Sequence, residues 1–129
     1  MPAAARVLDS SVVLAAMLGE MTTEEADPWF FSACISAVNY AEVVTKLLDR
    51  GMSPEEVEES LLDMDLDVRA FDKPLAHKAG LFRGQTRGLG LSLGDRACLA
   101  LAAQLDLPAA TGDKAWAKLD IGIEIELIR

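Results

Sequence analysis

Short apolar runs that end in an acid or a serine and pass straight into a helix recur along this chain. Arg6–Asp9 reads as a strand, Ser10 and Ser11 as the cap of an apolar helix Val12–Leu18, and Gly19 as its stop. Thr22–Glu25 opens a short helix that Asp27-Pro28 should break. Phe31–Ile35 reads as a second strand. Ser36 then caps a helix over Ala37–Arg50, with Tyr40, Ala41, Val44, Leu47 and Leu48 on one face. Ser53-Pro54-Glu55-Glu56 joins a capping serine, a first-turn proline and a third-position glutamate, so a helix runs from there to about Met64. Next come a strand over Asp67–Phe71 and a helix from Pro74 to about Arg87, which Gly84 is able to kink. A glycine-studded loop Gly88–Gly94 leads to an almost wholly apolar helix Asp95–Leu105. A strand Leu107–Thr111, a short helix Asp113–Leu119 and a last strand Ile121–Ile128 complete the chain. Such alternation predicts α/β layers around a mostly parallel sheet, as one domain over residues 1–129.

Composition narrows the classes. Hydrophobic residues make up 51% of the chain, enough for a real core, which excludes disorder. The longest apolar runs, Val12–Leu18 and Ala97–Ala103, fall far short of the roughly 20 residues that cross a bilayer. Residues 1–6 show no signal-peptide pattern. Cys34 and Cys98 sit among apolar neighbours and read as buried thiols, and His77 reads as an ordinary helix residue. A cytoplasmic protein without membrane contact is expected. Acids outnumber Lys and Arg by 21 to 12, for a net charge of −9, which disfavours non-specific DNA binding. The acids between Glu55 and Asp67 read as a solvated helix face.

Four other acids are better placed for chemistry. Asp9 and Asp113 each end a strand and start a helix, Asp95 begins a helix after a loop, and Glu42 rides the helix after the second strand. Singly, Asp9, Asp95 and Asp113 have a sufficient role as helix caps or dipole partners, and Glu42 as a surface acid. In a parallel sheet, however, all four junctions lie on one edge. Carboxylates about 4 Å apart repel by roughly 4 kcal/mol per pair at an effective dielectric near 20. Such a cluster takes up protons or binds a cation. Oxygen ligands without His or Cys suit Mg²⁺, with Mn²⁺ as a substitute. Ser10, Ser11, Ser36, Asn39, Ser92 and Thr111 are hydroxyls and amides able to hold the acids in place.

These residues, in order, resemble the PIN domain family, and within it the VapC-like ribonuclease toxins of bacterial toxin–antitoxin pairs. The segments that carry the resemblance are Val7-Leu8-Asp9-Ser10-Ser11, Ile35–Val43, Leu91–Ala97 and Pro108–Asp113. The family's acidic quartet falls on Asp9, Glu42, Asp95 and Asp113, and its accompanying small hydroxyl residues on Ser11 and Thr111. The resemblance implies a three-layer α/β/α sandwich around a short, mostly parallel sheet of four or five strands. It also implies a Mg²⁺-dependent endoribonuclease with Asp9, Asp95, Asp113 and Glu42 as metal-holding and catalytic residues, and Ser11, Thr111 and Asn39 supporting them. The partners it implies are an RNA substrate, a cognate antitoxin and a second copy in a homodimer. Lys46, Arg50, Arg83, Arg87, Arg96, Lys114 and Lys118 are candidates for phosphate contacts, while Trp29, Phe30 and Phe31 are candidates for protein contact. A dehalogenase-type phosphatase would need a second Asp where Ser11 stands, and a phospho-receiver domain would need paired early acids. The remaining alternative is a non-catalytic PIN-fold interaction module.

Overall fold

The computed structural model describes residues 3–129, so Met1 and Pro2, the start of the segment read for a signal peptide, lie outside it. Among the described residues, five parallel strands form one sheet in the order β3-β2-β1-β4-β5. They are β1 (Arg6–Leu8), β2 (Ala33–Ser36), β3 (Asp67–Arg69), β4 (Ala109–Thr111) and β5 (Ile125–Leu127). Six α-helices among the described residues cover the sheet: α1 (Ser10–Met17), α2 (Thr23–Phe30), α3 (Ala37–Asp49), α4 (Pro54–Met64), α5 (Lys73–Thr86) and α6 (Leu93–Leu105). The result is the expected α/β sandwich.

Strand alternation sorts the core into two layers. In register across the sheet, Val7, Cys34 and Ala109 point to one face, where α5, α6 and Trp116 pack on them. Leu8, Ile35 and Ala110 point to the other, against α1, α2, α3 and α4. Helix α6 is buried on every side from Ala97 to Ala102, which explains a sequence with no polar face there. Cys34 and Cys98 are buried, free thiols. Among the described residues, no helix is long and apolar enough to cross a membrane.

Several expected boundaries move, each for a local reason. Helix α1 begins at Ser10, so Asp9 rather than a serine holds the cap position. Pro28 does not break α2; it lies inside it. A capping box between Thr22 and Glu25 fixes that helix's start, and the helix ends two residues after the proline. Phe31 and Ser32 are not strand, because Ser32 turns the chain at φ 50°. Phe31 is left 76% exposed, while Trp29 and Phe30 are half-buried against the second core layer. Helix α5 runs unbroken through Gly84. The glycine-rich segment 88–94 is not one loop: Arg87–Leu89 forms a 3-10 turn and α6 already starts at Leu93. Lys114–Lys118 is also a 3-10 turn rather than an α-helix. β5 is limited to Ile125–Leu127.

Candidate active site

Strand order reverses direction between β1 and β4, since the chain builds β1-β2-β3 to one side and β4-β5 to the other. In open α/β sheets the crevice beyond the carboxyl ends at such a point is where ligands bind. Asp9 follows β1 there, and Thr111 ends β4 beside it.

Asp9 occupies the cap position of α1, yet its side chain makes no capping hydrogen bond. Its Oδ2 instead accepts from Ser11 Oγ at 2.8 Å and from Thr111 Oγ1 at 3.0 Å. Each hydroxyl has one proton, and both are committed to this oxygen. As acceptors, the same hydroxyls take backbone N–H groups from the segment after β4: Gly112 N to Ser11 Oγ at 2.9 Å, and Asp113 N to Thr111 Oγ1 at 3.1 Å. The other oxygen, Asp9 Oδ1, is buried and has no hydrogen-bond partner. The residue is only 4% exposed. Burial raises its pKa to about 6; the two hydroxyls oppose the shift, and the charges of Asp95 and Glu42 add to it.

Glu42 projects from α3, half-buried. Asn39, one helical turn earlier and fully buried, donates through Nδ2 to Glu42 Oε1 at 2.9 Å and to the Gly94 carbonyl at 3.0 Å. Flipping the amide would set its oxygen against two acceptors, so this orientation is dictated. Gly94 is the second residue of α6, and the Glu42 carboxylate lies against it. A Cβ at Gly94 would come within 3.0 Å of three atoms of that carboxylate. The sequence reading named Asn39 but missed Gly94. Read as the end of a glycine-studded loop, Gly94 carried no local signal of this role; only its place inside α6, with Glu42 against it, shows it.

Asp95 is the third residue of α6 and closes a capping box with Ser92, whose N–H donates to Asp95 Oδ2 at 2.9 Å. Asp113 is exposed and caps the 3-10 turn after it, accepting from Ala115 N at 3.0 Å. The fold therefore joins Asp9, Ser11 and Thr111 by direct bonds, links Glu42 to α6 through Asn39, and brings the charges of Glu42 and Asp95 to bear on Asp9. Among the described residues, no three His, Cys, Asp or Glu side chains converge at metal-ligating spacing. Asn39 engages only Oε1 of Glu42, and Ser92 only Oδ2 of Asp95. A buried carboxylate oxygen without a partner, pressed by two like charges, fits an oxygen-preferring divalent cation.

The PIN domain family matches residues 6–122. This chain belongs to the PIN domain family. Solved structures agree on the fold. A DNA-bound VapBC from Salmonella typhimurium superposes with TM-score 0.78 at 19% identity, over 98% of this PIN domain and 99% of that chain. A toxin–antitoxin complex from Klebsiella pneumoniae gives 0.73 at 16% identity, over 97% and 98%. VapBC-5 of Mycobacterium tuberculosis, a member of the VapBC family of toxin–antitoxin systems, gives 0.61 at 24% identity, over 99% of each chain. No curated protein matches the chain.

Proposed function

We propose that this PIN domain is a divalent-metal-dependent endoribonuclease, and that it is the toxin of a cytoplasmic toxin–antitoxin pair. The observation that carries the reading is Asp9, a carboxylate buried at the sheet's switch point with one oxygen unpartnered and the charges of Glu42 and Asp95 upon it. The toxin–antitoxin complexes among the structural relatives support the biological role.

Asp9, Asp95, Asp113 and Glu42 are the residues we assign to hold Mg²⁺ or Mn²⁺. When bound, the ion supplies charge neutralisation at the scissile phosphate and makes water more acidic. Ser11 and Thr111 fix the Asp9 carboxylate so that Oδ1 is the oxygen left to bind. Asn39 holds one oxygen of Glu42 and leaves the other to orient the attacking water and take its proton. Water attacks phosphorus in line, the bond to O3′ breaks, and a 5′-phosphate and a 3′-hydroxyl result. Uncharged by metal, the acidic site repels RNA. A basic side chain from an antitoxin would satisfy the same carboxylates and block it, and a homodimer is the expected free form.

The test is cleavage of total bacterial RNA by purified protein free of antitoxin, with Mg²⁺, Mn²⁺ or EDTA, beside Asp9→Asn. Discrete metal-dependent cuts, absent in the variant, are expected. Folded, antitoxin-free protein that cuts nothing with either metal would overturn the nuclease reading in favour of an interaction module with the same fold.

A further inference from the structure

Charge along the chain is segregated. Despite the net charge of −9, residues 73–94 contain no Asp or Glu, while Lys73, Lys78, Arg83 and Arg87 all lie there. This segment is α5, the 3-10 turn and the start of α6. Its four cations are exposed, and among the described residues none of them joins an ion pair. Elsewhere Arg6, Arg69 and Arg129 each pair with an acid.

The first turns of α5 add shape to charge. Lys73, His77 and Leu81 recur every fourth residue and form one solvent-facing row. With Pro74 and Lys78 they line an open hollow of about 460 Å³. Leu81 is 65% exposed, an apolar side chain with nothing over it. On the flank of that row, Gly80 and Gly84 present no side chain, and a Cβ at either would meet nothing within 4 Å. Packing within the chain therefore does not require these glycines, though glycine is among the poorest helix formers. They leave the helix backbone open to close approach.

Position ties the hollow to the site. β3 ends at Arg69 on the sheet edge that carries Asp9, and α5 begins four residues later. β3 and β1 are two strand spacings apart, about 10 Å. An apolar floor of Pro74, His77 and Leu81 between two ammonium groups suits a stacked base whose flanking phosphates meet the lysines.

We propose that the first two turns of α5 form a binding subsite for single-stranded RNA, with a base over Pro74, His77 and Leu81 and phosphates on Lys73 and Lys78. The proposal rests on the nuclease reading and deepens it by fixing where the substrate strand leaves the acidic site.

The test measures binding of a fluorescein-labelled, mixed-sequence single-stranded RNA oligonucleotide to the Asp9→Asn protein, which cannot cut it, across a salt series. Lys73→Ser with Lys78→Ser should weaken binding and make the slope of log K against log salt shallower by about 1.4, at roughly 0.7 per lost contact. Leu81→Ser with His77→Ala should weaken binding about fivefold or more at an unchanged slope, through lost stacking. All four residues are exposed, so the variants retain the fold. Arg129→Ser, which removes a cation paired with Glu20 at the other end of the sheet, should leave the slope unchanged. An α5 lysine pair that leaves the slope intact, or a control that lowers it as much per cation removed, overturns the proposal. So does a change in oligomeric state by sedimentation with RNA affinity untouched, which would give this face to a second copy. If wild type cuts RNA while the α5 variants bind like the parent, the subsite alone fails. If wild type neither binds nor cuts, the nuclease reading falls with it.

Discussion

Gly94→Ala separates what the fold needs from what the site needs. The three atoms nearest the added methyl group all belong to the Glu42 carboxylate, a flexible side-chain end that gives way rather than α6. Glu42 Oε1 must then leave Asn39 Nδ2, forfeiting a hydrogen bond to a charged acceptor, about 1.5–3 kcal/mol. Asn39 keeps its bond to the Gly94 carbonyl, but its other amide proton is left without a partner. Against that loss stands a gain of about 0.5–1 kcal/mol from replacing glycine in a helix. The net effect is a destabilisation of about 0.5–2.5 kcal/mol. In a Glu42→Ala background the collision vanishes and only the helix gain remains, so the same substitution stabilises by about 0.5–1 kcal/mol. Urea denaturation of the four proteins in EDTA closes the cycle, with an expected coupling of about 1.5–3 kcal/mol. Mn²⁺ affinity should fall in Gly94→Ala although the fold is retained. Equal effects of Gly94→Ala in both backgrounds, within about 0.5 kcal/mol, would refute the idea that this glycine exists to seat Glu42.

Three further outcomes follow from the site. Asp9 has a folded pKa raised from 3.8 to about 6, so the native state holds its proton more tightly than the unfolded chain does. Its ionisation thus costs about 3 kcal/mol at pH 7, and that stability is lost as pH rises from about 4 through 6; urea midpoints in EDTA should show Asp9→Asn gaining on wild type as pH rises over this window and levelling above it. Adding Mg²⁺ or Mn²⁺ at neutral pH should raise the melting temperature of wild type in proportion to log concentration above Kd, and leave Asp9→Asn unmoved, by differential scanning fluorimetry. Thr111→Val removes a donor from Asp9 and the acceptor of the Asp113 N–H, so chemical denaturation should show a loss of about 1–3 kcal/mol.

The sequence carried the placement of Asp9 and Asp113 because each sits where an apolar run meets a helix start, and a parallel sheet collects those junctions on one edge; Glu42, on the helix after β2, and Asp95, in the first turn of α6, follow from the same topology. Side-chain orientation was not legible to the same degree. Asp9 and Asp113 look alike in sequence, each an Asp between strand and helix, yet Asp113 caps its turn while Asp9 turns away from capping to accept two hydroxyl protons. The difference is decided by Ser11 and Thr111 meeting across about a hundred residues, which local pattern does not encode. Pro28 and the 88–94 glycines misled for a related reason. Residue preference marked them as breakers, but the capping boxes at Thr22 and Ser92 determine where α2 and α6 begin. Gly94 thereby fell inside a helix, where its role became visible only with Glu42 against it.

Ser11 and Thr111 do more than orient a carboxylate. Through them the segment bearing Gly112 and Asp113 hangs from Asp9, so β1 and β4 are buttoned together at the carboxyl end of the sheet. The proposed metal site and the architecture share one knot there. A descendant that gave up chemistry could not discard Asp9 and keep the rest at no cost: two hydroxyls would be left pointing at nothing, and the loop they hold would slacken. The three residues are bound to drift together, retained as a trio or replaced as one.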